Sequence, residues 1–475
     1  MASIFLANAP YSLDDRYGKL APVGATLPHL GLLMLGAVLR EAGHRVHIVD
    51  ASALGRDYQD VLEEIKRFRP DVIGLTAVTP SILKTANLAE KIKRTWPSMP
   101  IVIGGAHFTA VPERTLLDYP VFDFGVVGEG ESTLKELVEV LSANRSPLDV
   151  PGVAFRENGK VIFGALRPVI KDLDSLPFPA WDLLDKFPRR YHPALFKYKK
   201  LPSTHIISAR GCPNKCIFCD TSVFSRQIRF HSAEYVLEMI GHLVKRFGVR
   251  EIVFEDDQFL IKKGRVAEIC EGLLAAKWGI SWCCSGRVNS VNDLELLRLM
   301  KRSGCWQINY GIESGNQEIL DAANKGISIA QIERAVGLTR EAGILSKGYF
   351  ILGLPHETQK SITNTIHFAK GLPLNDMSAF ILTPFPGSEM YDVAEKYGTI
   401  EKDFEKMNLL DVVYVPKGLS KENLLDFQRR FVWEFYMRPR IIGNYIIRIL
   451  KNPTNLLNML RAFKGFVAYS LGLGK

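Results

Sequence analysis

Residues 210–220 read Arg-Gly-Cys-Pro-Asn-Lys-Cys-Ile-Phe-Cys-Asp, with three cysteines in the spacing C-x3-C-x2-C. Thiolates this close in sequence are typical ligands of an iron–sulfur cluster. Three thiolates would hold three irons of a cubane and leave the fourth iron open, as a catalytic zinc keeps an open position. The stretch therefore predicts a [4Fe–4S] cluster on Cys212, Cys216 and Cys219, whose open iron can chelate an amino and a carboxylate group.

A zinc site or buried free thiols are the alternatives for these cysteines. A closed zinc site needs a fourth ligand, and the nearest histidines, His205 and His231, are poorly spaced for it. Buried free thiols do not usually cluster in a loop flanked by glycine and proline. The remaining cysteines of the chain are interpreted as small core hydrophobes: Cys270, Cys283, Cys284 and Cys305.

The cysteine loop follows the first of six apolar runs, and a helical pattern follows each of the first five. Parallel strands with outer helices predict a partial six-stranded (β/α) barrel of the TIM type, whose site lies at the carboxyl ends of the strands. The expected strands are His205–Ala209, Glu251–Glu255, Trp282–Gly286, Gln307–Ile312, Gly348–Gly353 and Ser378–Leu382.

Before this barrel, short apolar runs alternate with amphipathic segments over about 145 residues. This alternation predicts parallel βαβ units covered on both faces. Five strands make a doubly wound, flavodoxin-like sheet, whose ligand should lie beyond the carboxyl ends of its strands. The expected strands are Ser3–Ala7, Val46–Asp50, Val72–Ala77, Ile101–Gly105 and Phe124–Gly128.

The chain is thus expected to divide into four regions: an α/β domain over 1–145, a linker with a β-hairpin over 146–200, the barrel over 201–390, and a helical, basic region over 391–475. The hairpin is expected at Gly152–Gly164, turning at Asn158-Gly159. Leu20–Leu39 carries no charged residue, but prolines and a glycine interrupt it. Only Leu30–Leu39 reads as an uninterrupted apolar helix, and this stretch is too short for a membrane span, so we interpret it as a buried core helix.

The cluster motif, with the aromatic Phe218 before its third cysteine, resembles the signature of the radical S-adenosylmethionine (SAM) superfamily. The surrounding residues 210–220 are similar to its cobalamin-binding branch, and the resemblance covers about residues 1–390. It implies that the open iron binds SAM and that the reduced cluster cleaves SAM to methionine and a 5′-deoxyadenosyl radical. Such chemistry belongs to the cofactor, which the protein positions and shields.

The resemblance also implies SAM contacts at Phe218 of the cluster motif and at the carboxyl ends of the barrel strands. Asp256 or Asp257 would bind the amino group of SAM, with a solvated acidic turn as the alternative. Arg287 and Glu313 are similar to carboxylate and ribose contacts, with a buried Arg–Glu pair as the alternative. Gly353 belongs to a segment that resembles the one packing on the adenine, where glycine lets the backbone approach a flat base.

Motifs after three strands of the first domain resemble those of cobalamin-binding domains. Glycines there would let the backbone approach the macrocycle, and Thr and Glu side chains could hydrogen-bond its amides. The Asp-x-His-x-x-Gly motif that supplies a cobalt ligand is absent. His107 is the nearest candidate ligand, with a hydrogen-bonded loop histidine as the alternative. The other implied cobalamin contacts are Thr76, Gly104, Gly105, Gly128 and Glu129.

The resemblance implies an enzyme that C-methylates an unactivated carbon of a small molecule and takes electrons from a reductant such as flavodoxin or ferredoxin. Radical cyclisation, rearrangement or oxidation without methyl transfer, as in the anaerobic magnesium-protoporphyrin ester cyclase, stays open. So does a non-catalytic cobalamin sensor. The absence of cysteines before 212 and after 305 argues against methylthiotransferases and against members with auxiliary C-terminal clusters.

The net charge of +9 is concentrated at the C-terminus, because residues 436–475 hold seven basic and no acidic residues. Within this tail, Asn455–Leu471 has apolar residues at helical spacing. Such a basic amphipathic helix can bind an anionic lipid surface, and its apolar face can equally pack on the barrel. We expect no nucleic-acid partner. We expect a cytoplasmic protein, peripheral to the inner membrane face if the tail binds lipid, with a hydrophobic or lipid-like substrate in that case.

Overall fold

The protein, described by a computed structural model over residues 1–18, 21, 24–194, 198–408 and 411–444, begins with a sheet of seven strands. Its order is β2-β1-β3-β4-β5-β6-β7, and β1 to β5 are parallel. The order 2-1-3-4-5 confirms the flavodoxin-like prediction. The strands are β1 (Ser3–Asn8), β2 (Arg45–Asp50), β3 (Val72–Thr76), β4 (Ile101–Gly104), β5 (Phe124–Val126), β6 (Val153–Glu157) and β7 (Lys160–Phe163).

The hairpin β6–β7 forms at the expected place, but it is not part of a free linker. Strand β6 pairs antiparallel with β5, so the hairpin extends the first sheet. An unpaired edge strand would leave backbone donors and acceptors exposed, and the hairpin covers that edge of β5. Phe124 and Phe155 also pack across the new pair, with ring centroids 6.4 Å apart.

Eight helices connect and cover the strands of this sheet within the described residues. The apolar helix expected from Leu30 is confirmed, because most of its apolar side chains are buried. No described helix is both long and apolar enough to cross a membrane. The helices are α1 (Leu13–Tyr17), α2 (Leu30–Glu41), α3 (Ala51–Leu54), α4 (Tyr58–Phe68), α5 (Ile82–Thr95), α6 (Ala106–Ala110), α7 (Pro112–Asp118) and α8 (Gly130–Ser142).

The second sheet consists of six parallel strands in the order β15-β14-β13-β12-β11-β8, which confirms the partial barrel. Two short strands, β9 (Ala209–Arg210) and β10 (Arg229–Phe230), form a separate antiparallel pair beside the cysteine loop. The barrel strands are β8 (Ser203–Ile206), β11 (Glu251–Phe254), β12 (Ser281–Gly286), β13 (Cys305–Glu313), β14 (Leu345–Leu352) and β15 (Asp376–Ile381).

Helices α9 to α14 follow the barrel strands and cover them from outside. Cys270, Cys284 and Cys305 are buried in the apolar core shared by these helices and strands, and Cys283 lies in a second, small apolar group. The interpretation of these four cysteines as core residues therefore agrees with their packing. The helices are α9 (Ala233–Phe247), α10 (Lys263–Ala276), α11 (Leu294–Arg302), α12 (Gln317–Ala322), α13 (Ile329–Glu341) and α14 (Gln359–Gly371).

The described part of the C-terminal region is not wholly helical, which corrects the prediction. After α15 (Glu389–Tyr397), the strands β16 (Gly398–Ile400) and β17 (Tyr414–Pro416) form an antiparallel pair, followed by α16 (Lys421–Tyr436). Helix α16 packs on the last barrel strands, where Phe431 lies 5.0 Å from Phe350 between ring centroids. The tail segment Asn455–Leu471 lies outside the described residues.

Candidate functional site

The loop with the three cysteines joins β9 to β10 and lies at the carboxyl end of β8. Cys216 is buried, Cys212 is half-buried and Cys219 is exposed. Two side-chain amides point at the first sulfur: Asn214 Nδ2 and Gln258 Nε2 lie 3.3 and 3.4 Å from Cys212 Sγ. Donors of this kind orient metal ligands and tune the reduction potential of an iron–sulfur cluster.

The loop is anchored to the barrel and to the C-terminal region. Its residue Ile217 donates its backbone N–H to the Ala323 carbonyl at 3.2 Å and accepts the Met390 N–H at 2.7 Å. Gly211 has φ +88°, and a Cβ there would come within 2.4 Å of the Gln227 carbonyl oxygen. The path into the first cysteine therefore requires glycine, for its left-handed backbone and for space.

The three thiols lie close enough to influence one another. Although Cys219 reaches the surface, the protein groups around its sulfur desolvate it and raise the pKa of its thiol to about 12. The thiols of Cys216 and Cys212 and the Asp257 carboxyl contribute to this rise. A bound cation favours the thiolate and removes this cost. A donor set of three grouped thiols with N–H groups aimed at them fits a [4Fe–4S] cluster.

The zinc alternative gains no support from the described residues. Among them, no three His, Cys, Asp or Glu side chains surround one point closely enough for a single metal ion. In a cubane, by contrast, each thiolate binds a different iron. His231 Nδ1 lies 3.0 Å from Asp174 Oδ1 instead of joining the loop, and His205 is buried in β8.

The structure separates the two candidate aspartates after β11. Asp256 is 2% exposed, and its carboxylate accepts hydrogen bonds from the backbone N–H and the hydroxyl of Ser208, both at 2.5 Å. Burial raises the pKa of Asp256 to about 6, against the effect of these hydrogen bonds. Asp257 is exposed, and its charge acts on the Cys219 thiol. Asp257 is therefore the aspartate that is free to meet a ligand of the cluster.

We expect Asp257→Asn to weaken SAM binding about 10- to 100-fold, because one charge-assisted hydrogen bond contributes about 1.5–3 kcal/mol. Asp256→Asn is the matched control: it should lower the melting temperature by disturbing the tie to Ser208 and leave SAM affinity within about twofold. Anaerobic equilibrium binding of SAM to both cluster-loaded variants measures this. Equal loss of affinity in the two variants would contradict the assignment.

Arg287 and Glu313, expected to contact SAM, are joined through a lysine that the sequence did not single out. Lys325 Nζ lies 2.6 Å from Glu313 Oε1, and both side chains are 7% exposed. Arg287 donates Nη2 to the Lys325 carbonyl and Nη1 to Cys216 Sγ at 3.4 Å. The direct Arg–Glu pair is thus not formed. Arg287 Nε is buried without a hydrogen-bond partner among the described residues, so it is available to a ligand.

Phe218 and Gly353 were both expected to lie near SAM. Lys325 Nζ lies 5.7 Å from the centroid of the Phe218 ring, which places Phe218 beside the Lys325–Glu313 pair. Gly353 has φ +87° and lies close to Leu424 of α16. Its N–H donates to Glu357 Oε2 at 2.5 Å, and burial raises the pKa of Glu357 to about 8. The hydrogen bond to Glu357 thus fixes the backbone N–H of Gly353, and helix α16 packs against this residue.

A cavity opens between the carboxyl ends of the first sheet and the cysteine loop. About 1200 Å³ of space lies between its protein walls, including a part that is open solvent, and the walls come from both α/β regions. A Cβ on Gly104 would have its nearest neighbour at 3.8 Å, and one on Gly128 at 3.9 Å, so both glycines leave space for a ligand. The cavity wall includes Thr76, Gly104, Gly105, Gly128 and Glu129 on the first sheet, and Ile207, Arg210 and Phe224 near the loop.

These residues fit cobalamin, since glycines and apolar side chains can accept a large flat group, but two expected contacts differ. The carboxylate of Glu129 is occupied by Arg210 and Arg229, so it does not offer its oxygens to the cavity. His107 is not among the residues lining the cavity. Its ring packs edge-on against Phe404 at 4.8 Å, Nδ1 lies 3.2 Å from Thr79 Oγ1, and burial lowers its pKa to about 4.

Sequence reasoning missed Lys325, Gln258 and Arg229. Gln258 directly follows the paired aspartates, and its position after a strand end was the signal available. Arg229 and Lys325 carry no local signal, because each meets its partner only through the fold.

Two family models match the chain. The model of the B12 binding domain matches residues 19–138, and the model of the radical SAM superfamily matches residues 206–369. The two matched segments contain most of the parallel part of the first sheet and the barrel from the cysteine loop to α14.

Two curated proteins are similar along most of the chain. An uncharacterized methyltransferase of Pyrococcus horikoshii is 35% identical over 88% of this chain and 90% of its own length. The anaerobic magnesium-protoporphyrin IX monomethyl ester cyclase of Rubrivivax gelatinosus is 29% identical over 96% of this chain and 82% of its own length.

Among solved structures, the radical S-adenosylmethionine methyltransferase TsrM of Kitasatospora setae has the same fold. The two superpose with a TM-score of 0.72 at 18% identity, covering 93% of this chain and 90% of that chain. That structure holds cobalamin and a [4Fe–4S] cluster.

Proposed function

This chain belongs to the cobalamin-binding radical SAM family, and from that premise we propose that it methylates an unactivated carbon of a small molecule. Its cofactors are a [4Fe–4S] cluster, SAM and cobalamin, and its activity requires a reductant. When bound, the cluster and SAM supply the radical that abstracts hydrogen, and cobalamin supplies the methyl group. The similarity to the methyltransferase of Pyrococcus horikoshii supports methylation.

The observation that carries the proposal is that the cavity and the cysteine loop share a wall. Arg210 lines the cavity and stands two residues before Cys212, while Gly104 and Gly128 line it from the first sheet. Cobalamin bound in the cavity and SAM bound to the cluster would therefore reach the same region of the protein. Transfer between two cofactors needs this proximity, because effective concentration supplies much of the rate.

Within this proposal, Cys212, Cys216 and Cys219 hold the cluster, and Asn214, Gln258 and Arg287 donate to its sulfurs. Asp257 and Arg287 bind the amino and carboxylate groups of SAM. We place cobalamin against Thr76, Gly104, Gly105 and Gly128.

The interior of the barrel is the proposed substrate site. Phe350 packs outward on α16, so its neighbours Lys347, Tyr349 and Ile351 alternate to the inside. Lys347 Nζ lies 3.1 Å from Asp376 Oδ2, and Tyr349 lies 6.1 Å from Phe380 between ring centroids. The aromatic pair lies nearer the carboxyl ends of β14 and β15 and suits a substrate with an apolar body, whereas Asp376 begins β15 and is bound by the hydroxyl of Tyr436 of α16.

Anaerobic assays with methyl-deuterated SAM test the function. Reconstituted enzyme, a chemical reductant and fractionated small-molecule extracts should yield a deuterated product, with deoxyadenosine and S-adenosylhomocysteine formed together. A cyclase would form deoxyadenosine without S-adenosylhomocysteine, and a sensor would form neither. Either of those results would reject methylation.

We further propose that the C-terminal tail binds the enzyme to an anionic membrane surface, where a hydrophobic or lipid-like substrate is concentrated. The support is the pattern of Asn455–Leu471, with apolar residues at helical spacing and basic neighbours without acidic partners. Each basic residue near such a surface contributes roughly 1 kcal/mol.

Liposome flotation tests the membrane proposal. The full chain should float with anionic vesicles at low salt and be released at high salt, because salt screens the attraction. Deleting residues 455–475 should abolish flotation, and neutral vesicles serve as the control. Absence of flotation at low salt would contradict the proposal.

A further inference from the structure

Four buried charged side chains meet where the first domain contacts the cysteine loop. Arg210 donates Nη1 to Glu129 Oε1 at 2.8 Å and Nη2 to Glu131 Oε1 at 2.6 Å. Arg229 donates Nη1 to both oxygens of Glu129, at 3.0 and 2.7 Å. The four side chains are 3–7% exposed. We name Glu129, Glu131, Arg210 and Arg229 the interdomain clamp.

The clamp is electrically balanced and well supplied with hydrogen bonds. Arg210 and Arg229 are direct partners in the register of β9 and β10, so two cations lie side by side and need two anions. The backbone adds further bonds: Glu129 Oε2 accepts the Ile170 N–H at 2.8 Å, and Arg229 Nη2 donates to the Phe224 carbonyl at 2.9 Å. Buried ions are tolerated only with such complete pairing.

Residues next to the clamp in sequence belong to the two proposed cofactor sites. On one side, Gly128 and Gly130 flank Glu129 and line the cavity. On the other side, Gly211 alone separates Arg210 from Cys212, and Gly211 has no room for a Cβ beside the Gln227 carbonyl. A displacement of either partner would therefore move the cavity wall relative to the first cluster ligand.

A planar guanidinium that binds carboxylates through two nitrogens also fixes direction, which a lysine ammonium does not. Arg210 binds two carboxylates of the other domain through two nitrogens, and Arg229 spans both oxygens of one. This geometry restrains rotation as well as separation of the two regions. The apolar core that the two regions share holds them together with less directional packing.

We propose that the interdomain clamp is a positioning device that sets the distance and orientation between cobalamin and the iron–sulfur cluster. Its four members are positioning residues, because their charged groups bind one another and not a cofactor or substrate. The inference rests on the cofactors of the family, and only its assay of product ratios rests on methylation. In this proposal Glu129 binds Arg210 and Arg229 across the contact between the domains, and it does not hydrogen-bond an amide of cobalamin.

Pulsed electron paramagnetic resonance on the holoenzyme measures this geometry directly. The reduced cluster and cob(II)alamin each carry an unpaired electron, so their magnetic interaction reports the separation. Wild-type protein should show one narrow distance distribution. Arg229→Lys keeps the charge but cannot bind Glu129 and the Phe224 carbonyl through two separate nitrogens, so it should broaden or shift that distribution while both cofactors stay bound.

The balanced double variant Glu131→Gln/Arg229→Gln protects the test against misfolding. It removes one anion and one cation and retains the pair Glu129–Arg210. Glu136→Gln is the matched control, because Glu136 lies on the same helix α8 and pairs with Arg167 away from the clamp. The double variant should alter the distance distribution, and the control should leave it unchanged.

A second readout compares the initial rates at which two products of SAM form without substrate, because the methyl group then stays on cobalamin and S-adenosylhomocysteine stops at one equivalent. Deoxyadenosine needs only the cluster, whereas S-adenosylhomocysteine needs SAM and cobalamin in register. The clamp variants should lower the ratio of S-adenosylhomocysteine to deoxyadenosine by about 100-fold, since a displacement near 1 Å has that effect on a positioned reaction. Deoxyadenosine formation itself should be kept.

The outcomes separate the two proposals. If wild-type protein forms no S-adenosylhomocysteine, methylation fails, and the measured distance still decides the role of the clamp. An unchanged distribution in both clamp variants, with both cofactors bound, overturns the inference. Loss of both cofactors in both variants overturns it too, because the clamp would then serve folding and not positioning.

Discussion

Replacing Cys212, Cys216 and Cys219 together with alanine is expected to remove the iron of the protein and abolish deoxyadenosine formation. No other described cysteine stands at the loop, since the remaining four are buried in apolar surroundings. Without thiolates, no group there can hold a cubane. Iron analysis, the absorbance of the cluster and chromatography of SAM products measure the effect.

The matched control for this variant is Cys270→Ala. Cys270 lies fully buried in helix α10, and the loss of its small side chain should cost stability by about 1 kcal/mol. Iron content and deoxyadenosine formation should equal those of the wild type. A four-iron cluster retained by the triple variant would overturn the assignment of the loop.

Substituting leucine for Gly104 is expected to weaken cobalamin binding about 100-fold or more. A side chain at this position enters the cavity, because the nearest neighbour of a Cβ is the Val126 carbonyl oxygen at 3.8 Å. Filling space that a ligand needs costs about 3 kcal/mol, which corresponds to two powers of ten in Kd. The fold should persist, since Gly104 is the last residue of β4 and its backbone does not adopt the left-handed conformation that favours glycine.

Absorbance titration with hydroxocobalamin measures the dissociation constant, and circular dichroism verifies the fold. Gly337→Leu is the matched control: Gly337 is exposed on α13, and a Cβ at this position would meet no heavy atom within 4 Å, so cobalamin should bind as in the wild type. Unchanged affinity in Gly104→Leu would show that cobalamin lies elsewhere than in the cavity.

Local patterns predicted both sheets well. The strands are parallel and buried on both faces, so each reads as a short apolar run such as Val72–Thr76 or Glu251–Phe254. The helices between them show amphipathic spacing. Burial of apolar area drives such elements together. The rules for connecting strands and helices then leave only a few topologies for elements in this order along the chain. The flavodoxin-like order and the six-stranded barrel follow from those constraints.

The hairpin and the C-terminal region were predicted less well for a physical reason. Nothing in the sequence of Val153–Phe163 says which edge it pairs with, because strand pairing uses backbone groups that every residue carries. Likewise, Tyr414–Pro416 is too short to give a periodic signal, and only its pairing with Gly398–Ile400 makes it a strand.

For the site, sequence alone singled out the three cysteines as the predicted cluster ligands, since their ligand chemistry and spacing are local properties. It also placed Gly104 and Gly128 at strand ends, where a cavity lies in the folded chain. The choice between Asp256 and Asp257 was left open by the sequence. It depends on Ser208, which lies 48 residues earlier and gives no local signal.

Only the tertiary structure decided the partners of the charged residues. Glu129 stood in a motif that suggested a cobalamin contact, yet it meets Arg210 and Arg229, 81 and 100 residues further along the chain. Burial of a charge forces it to find an opposite charge wherever the fold provides one. Composition and spacing do not indicate which distant residue a buried charge will meet. The interdomain clamp could therefore be identified only from the packing of the two domains.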